Sequence, residues 1–462
     1  MRRDRGSVFV YSLVVMAALV GVLAAVASTE RLDVKAMTNR KETIKARMAC
    51  MAGIQRFIAT EANDLLGGGA TTSGSTSGST STIAMTTGAT TLQDDWAQLG
   101  ANGGTNGDER ALVDDISFRM QVVDACSYVN MLKLSPAAAA ATPGQTITAT
   151  QAPWLSNLPL SQQQIDAFYD FTTPGENATA DGGKDPYYNA LANPYNAKLA
   201  PLDTLDELLQ IRYFDANAIY QPNTNIVSTV TYTAGTNGQQ PTLYDLLTPY
   251  SYAPNLKPGA LGSQTPLVGL SGLAGNPTVQ TFTGWGIPQN VANDLVGAFT
   301  RTPRPTTMGA LVRFLTNPTS RNYVVNNCTF RTETRTAGLI NVNTASVNVL
   351  TSMPNMTPDL AQAIVTQQQS GFTQMSDLFN VAGYTTAIAG STIDNFCVES
   401  STFIVRVIGT CGSTSVAMEA TVDIVNNKPQ LVRIADVPFT DAIGRWNWNS
   451  TTSTDTVLKE AS

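Results

Sequence analysis

The sequence predicts an α+β fold: a long N-terminal helix packed on a small antiparallel sheet, with a large, mainly α-helical domain inserted into that sheet and containing a helix-hairpin-helix unit. Three observations predict it. No charged residue appears from Ser7 to Thr29, and beyond Glu30 apolar residues keep helical spacing. Alternating apolar and polar residues, the mark of half-buried strands, occur at 116–122 and return at 403–424. Between these runs lie several capped, amphipathic stretches of helical period.

The first element begins with the basic residues Arg2, Arg3 and Arg5, and the uncharged run that follows is about as long as a bilayer core requires. Basic residues before a span hold the N-terminus in the cytoplasm and send the bulk of the chain across. Ile44, Met48, Met51, Phe57 and Ile58 then recur among Lys, Arg and Glu, so one helix over 7–66 is the economical reading. Signal-peptide cleavage after Ala27, cleavage after Gly6, and no cleavage all remain open on the residues alone.

The segment 67–110 opens with a Gly/Ser/Thr run that cannot bury enough apolar surface to order itself, and reads as a flexible loop. In the first strand Ile116, Phe118, Met120 and Val122 alternate with polar residues, and 111–135 forms the first part of the sheet. At the other end, 396–440 forms the last part. There Phe403–Ile408 runs through Gly409, Thr410, Cys411 and Gly412 into Val416–Ile424 as a hairpin, before a tail over 441–462.

The insertion spans 136–395. Within it Thr204 and Glu207 have capping-box spacing ahead of Leu205, Leu208 and Leu209. Farther on, Ile340-Asn341-Val342-Asn343-Thr344-Ala345 leads through Val347 and Leu350 to a turn at Met353-Pro354-Asn355-Met356. Thr357 then caps a second helix with Pro358 at its first position, and Gly371 ends it. Phe372 to Phe379 reads as a third short helix, and 340–380 is therefore a helix-hairpin-helix.

Composition excludes several functions. With 43% hydrophobic and 14% charged residues the chain folds, and its net charge of −7 offers no footprint for a phosphate backbone. The absence of histidine removes Ser-His-Asp and Cys-His catalysis and every histidine metal site. The acidic residues are scattered through loops without the aromatic platforms of a sugar site, and no enzymatic activity is expected. Among the five cysteines no C-x-x-C pair occurs; Cys126, Cys328, Cys397 and Cys411 fall in the exported part, where one or two disulfides and buried free thiols are both open readings.

With these residues on the page, the chain resembles the K-type minor pseudopilins of bacterial type II secretion, which are type IV pilin-like proteins. Such proteins carry a short basic leader ending in Gly, cut by a prepilin peptidase, and Gly6-Ser7 fits that junction, although Ser7 stands where Phe or Met is usual. Tyr11 stands at the fifth mature position, where most members have a Glu that K-type members lack. Further likeness lies in the Asn341-x-Asn343-Thr344-Ala345 motif, the hairpin, the closing Gly371-Phe372 before Ser376-Asp377-Leu378, the stretch Asp185-Pro186-Tyr187-Tyr188, and residues 124–130. The resemblance implies a structural subunit at the tip of a periplasmic pseudopilus. It implies a single inner-membrane span, minor pseudopilins of the I and J types and an inner-membrane assembly platform as partners, and no nucleic acid. A minor pilin or DNA-uptake component of a related type IV pilus-like machine is the alternative.

The hairpin weighs against that alternative. Hairpins that hold DNA present glycine amides and nearby basic residues to a phosphate, whereas this turn is Asn355-Met356-Thr357 and no Lys or Arg occurs between Arg335 and Arg406. The resemblance also implies calcium in the helical domain, for which Asp170, Asp181 and Asp185 are the candidate carboxylates. Lys184, standing where the family tends to have Glu, weakens that implication.

Overall fold

The computed structural model describes residues 4–65, 88–99, 109–113, 115–135, 143–223, 226–228, 230–234, 240–257, 264–273 and 275–446. Helix α1 (Asp4–Leu65) is continuous, as expected for a stretch without proline or a capping break. Its two halves differ. From Phe9 to Met37 its large apolar residues are exposed, and by length and composition this part can cross a membrane. Farther along, Ala46, Ala49, Cys50, Ile54 and Phe57 are fully buried at steps of three and four, one stripe of the helix.

That stripe lies on a five-stranded sheet whose order follows the chain: β1 (Glu109–Val113), β2 (Ile116–Asp124), β3 (Thr402–Cys411), β4 (Thr414–Val425) and β5 (Lys428–Val437), with every neighbour antiparallel. Although β2 and β3 are far apart in sequence they pair over their whole length, Phe403 opposite Asp124 and Val407 opposite Met120. Phe118, Met120, Val122, Phe403, Val405, Val407, Met418, Ala420 and Val422 face α1. Burying a Phe or Val of this kind stabilises by roughly 1.5–3 kcal/mol per side chain. Two glycines set the closeness of the contact: a Cβ on Gly53 would lie 2.9 Å from Val407 Cγ1, and one on Gly409 2.9 Å from Cys50 Sγ and against the Ala46 carbonyl.

Gly409, Thr410 and Cys411, read from sequence as part of the hairpin turn, belong to β3. The turn is Gly412-Ser413 alone, and Gly409 is in the strand because the helix passes over it. The next turn, Asn426-Asn427, has positive φ at both residues (51° and 59°), the geometry of a tight hairpin. It leads into β5, an edge strand that leaves Leu431, Val432 and Ile434 exposed. Within 67–110, the segment expected to be flexible, residues 88–99 are fixed: Trp96 is 2% exposed with its ring 5.0 Å from that of Phe403, and Thr90 N donates to Val398 O. The Gly/Ser/Thr run itself lies outside the described residues.

The insertion leaves β2 through a 3₁₀ turn at Ala125–Ser127 and returns to β3 after Phe396–Cys397. It has its own core, to which α2 (Gln162–Thr172), α3 (Gln289–Phe299), α4 (Pro318–Asn327), α5 (Val347–Thr351) and α6 (Pro358–Gln368) contribute. α5 and α6 form the hairpin. Thr357 Oγ1 accepts from Leu360 N and caps α6, Asn355 takes positive φ in the turn, and Gly371 takes φ 74° just beyond α6. The third element is a 3₁₀ helix at Met375–Asn380.

The capping box expected at Thr204 does not form. Thr204 makes no side-chain cap and Leu205–Gln210 is a 3₁₀ helix; Glu207 Oε2 instead accepts from Lys198 Nζ at 2.6 Å and from Asp203 N at 3.2 Å. The Lys198 ammonium holds that carboxylate, and the amide it still accepts is that of Asp203 rather than of Thr204. Leu209 is exposed there rather than packed.

Candidate site at the junction of sheet and insertion

At the last residue of β2 the chain buries a carboxylate. Asp124 is 1% exposed, and its two oxygens accept from four donors drawn from three parts of the sequence. Oδ1 takes Cys126 N at 2.7 Å; Oδ2 takes Thr344 Oγ1 at 2.7 Å, Ser400 Oγ at 2.7 Å and Asn341 Nδ2 at 2.9 Å. Burial pushes the Asp124 carboxyl above its usual range, while the donated hydrogen bonds pull it back. Asn341 Nδ2 also reaches Thr90 O, tying in the segment before β1.

The Asn-x-Asn-Thr motif therefore has a physical reading. Asn341 and Thr344 bind Asp124, and Asn343 closes the hairpin unit: its Nδ2 donates to Phe372 O at 2.9 Å and its Oδ1 accepts from Phe372 N at 2.7 Å. Gln368 of α6 donates to Val342 O and Ala345 O at 2.8 Å each. The motif is a lock between hairpin and sheet. Pro354 lies half-buried in the turn and Thr357 is exposed at the start of α6.

The two arginines that bracket the hairpin region in sequence are spent on carboxylates. Arg335 pairs with Asp423 of β4, itself 1% exposed, and Arg406 Nε pairs with Glu419 at 3.2 Å while Nη2 donates to Tyr244 OH at 3.2 Å. They join insertion to sheet and present no face to a phosphate.

A second buried carboxylate cluster lies on α2. Asp166 and Asp170 are fully buried, and burial raises both carboxyls. Asp170 Oδ2 accepts from Thr179 N at 2.8 Å and Thr179 Oγ1 at 3.1 Å; Asp166 Oδ1 accepts from Ile147 N and from Gln162 Nε2 at 2.8 Å each. Lys184, 5% exposed, places Nζ 2.6 Å from both Asp170 O and Thr173 O. Asp185 Oδ1 accepts from Ala197 N, and Asp181 contributes its amide to Asp166 Oδ2 at 3.4 Å.

These residues do not fit the calcium that the resemblance implies. Calcium takes six to eight oxygens, and here only Asp170 Oδ1 is buried without a partner, whereas the main-chain carbonyls a cation would use already hold an ammonium. Among the described residues no group of three or more Asp, Glu or Cys is arranged to hold a metal. The fixed charge of Lys184 does the cross-linking work of an ion.

The remaining candidates are separate. Gly6 and Ser7 lie in the first turns of α1, and Tyr11 is 73% exposed on its apolar half. All five cysteines are buried; Cys126 and Cys397 share a small cluster with Ala253 and Leu339, while Cys328 sits in the insertion core and Cys411 at the far end of β3.

A single long helix on an antiparallel sheet, interrupted by a helical domain with a hairpin, is the α+β architecture expected from the sequence. Residues 130–228 match the family model described as type II secretion system (T2SS), protein K, and residues 336–388 match that described as helix-hairpin-helix motif. A solved structure, the crystal structure of the GspK-GspI-GspJ complex from the enterotoxigenic Escherichia coli Type 2 Secretion System, aligns with 87% of this chain and 99% of that chain at 12% identity and a TM-score of 0.46, too distant a likeness to argue from. No curated protein matches the chain in sequence.

Proposed function

We propose that the chain is a structural subunit at the tip of a type II secretion pseudopilus, anchored by one inner-membrane span with its body in the periplasm, and helping to start assembly with the I- and J-type minor pseudopilins on the inner-membrane platform. The observation that carries this reading is the division of α1 into an exposed apolar half and a half packed into the sheet, in a chain whose insertion matches the K family. Prepilin peptidase cleavage between Gly6 and Ser7 would release Ser7 as the new N-terminus. Tyr11 at the fifth mature position supplies no carboxylate to the charged amine of a subunit above, which suits the topmost place. The role is one of shape and contact, without catalysis.

Mass spectrometry of the mature N-terminus tests the reading together with membrane extraction. The expected result is a chain starting at Ser7 that stays with the membrane fraction at alkaline pH. A chain starting at Ser28 and free in the periplasm would overturn it. In cells, loss of the chain is expected to stop secretion of substrates across the outer membrane, and restoring it to recover secretion.

A further inference from the structure

We propose that Cys126 and Cys397 form a disulfide that closes the base of the inserted domain, leaving Cys50, Cys328 and Cys411 as thiols. This rests on the periplasmic placement of the body argued above. Cys126 follows the last residue of β2 by two positions, and Cys397 precedes the first residue of β3 by five. Those strand ends are paired, Phe403 opposite Asp124. Both cysteines are also drawn to the Asp124 lock: Cys126 N donates to Asp124 Oδ1, and Cys397 stands in register with Asn341, whose side chain donates to Asp124 Oδ2.

Cys126 and Cys397, 0% and 7% exposed, share one apolar cluster with Ala253 and Leu339, where Cys126 Sγ donates to Tyr252 O at 3.3 Å. The other cysteines are held elsewhere. Cys50 Sγ donates to Val416 O at 3.3 Å under the helix, Cys328 packs in the insertion core, and Cys411 lies opposite Ile116 and Thr414. Hydrogen bonding to the Cys397 thiol, with burial added, raises the Cys126 thiol well above its usual range, so Cys126 does not attack readily once the chain is folded. The bond therefore forms while the chain folds. The step is thiol–disulfide exchange with a disulfide-bearing oxidant of the periplasm: both thiols lose their protons, the S–S bond forms, and two electrons pass to the oxidant, whose own S–S bond breaks to give two thiols.

The closed loop holds the whole insertion, and long loops gain most from such a constraint. The insertion then leaves the sheet through a covalent neck.

The full chain, isolated in detergent from cells whose free thiols were trapped by alkylation, is digested with and without prior reduction. The result expected is a linked peptide pair containing Cys126 and Cys397, with alkylation of Cys50, Cys328 and Cys411 only, and a Tm lower by roughly 5 °C after reduction. The same chain is also refolded from the reduced, denatured state in a mixture of reduced and oxidised glutathione. Failure of the link to form there, or linkage of Cys126 to a different cysteine, overturns the pairing. A link that forms on refolding while chain from cells carries five alkylated thiols supports the pairing and overturns the periplasmic placement instead. Cys126→Ser and Cys397→Ser are expected to remove the linked pair equally, and the count on the unaltered chain decides the matter even if either variant folds poorly.

Discussion

Two buried carboxylates, Asp124 and Asp170, are equally hidden from water, yet they are held by different means. Asp124 is met by neutral donors that come together only when β2, the hairpin and the approach to β3 are all in place, its side-chain partners lying 217 to 276 residues away. Asp170 is met within its own neighbourhood, by Thr179 and by the field of the Lys184 ammonium, 14 residues on. The first reports that the whole molecule has assembled. The second staples one loop to one helix and can form early, since short loops cost little entropy to close.

The largest effect is expected at the long-range site. Asp124→Ala leaves the Ser400 hydroxyl and the Cys126 amide buried without their acceptor and takes the partner of Thr344 Oγ1, and should destabilise by about 3–5 kcal/mol in chemical unfolding of the detergent-solubilised chain. A loss under about 1 kcal/mol would erase the contrast between the two sites. Lys184→Met removes the ammonium from two buried carbonyls and should cost about 2–4 kcal/mol, with residues 173–184 gaining hydrogen exchange before the rest of the insertion. In the same molecule, calcium or a chelator should leave the Tm of the unaltered chain unchanged within about 1 °C; a calcium-dependent rise would return the cluster to the status of a metal site.

Glu399 gives a third test, beside the Asp124 lock but outside it. Burial pushes its carboxyl from 4.5 up to about 8, with Gln264 donating to Oε1 and Oε2 unpartnered. Because the folded pKa exceeds the unfolded one, its contribution is fully present below pH 4.5 and is lost as pH rises to about 8. Glu399→Gln should flatten that part of the pH–stability curve and raise stability at pH 8 by about 1–3 kcal/mol, read from urea midpoints across the range. At the small end, Thr344→Val deletes one of the four hydrogen bonds to Asp124 and should cost about 1 kcal/mol. The Arg47–Asp436 pair, 2.7 Å long but half-exposed at both ends, should be worth under about 0.5 kcal/mol when either partner is changed.

The sheet's inner strands and the hairpin were legible because their patterns are local: alternation in 116–122 and 403–424, and a Thr-Pro start with a glycine end around α6. Gly409 misled, since a glycine before Gly412 reads as a turn until the helix above it is known. Strand β5 was not read as a separate strand because it is an edge whose apolar residues face outward, which leaves no contrast between its two sides. The motif residues Asn341, Asn343 and Thr344 were legible as a pattern, but not their work. Nothing in the sequence near Asp124 announces partners two hundred residues off, and a buried carboxylate among neutral donors has no compositional signature. Lys184 was noticed as a departure, and its Nζ contacts supply the reason.

The near-touching backbones at Gly409 and Ala46 have a mechanical consequence. Where strand and helix are separated by side chains, a rod can slip or roll by rearranging rotamers; where a helix carbonyl rides directly on a strand glycine, it cannot. A push or twist delivered to the lower end of α1 would thus reach the head with almost no lost motion, as through a keyed shaft.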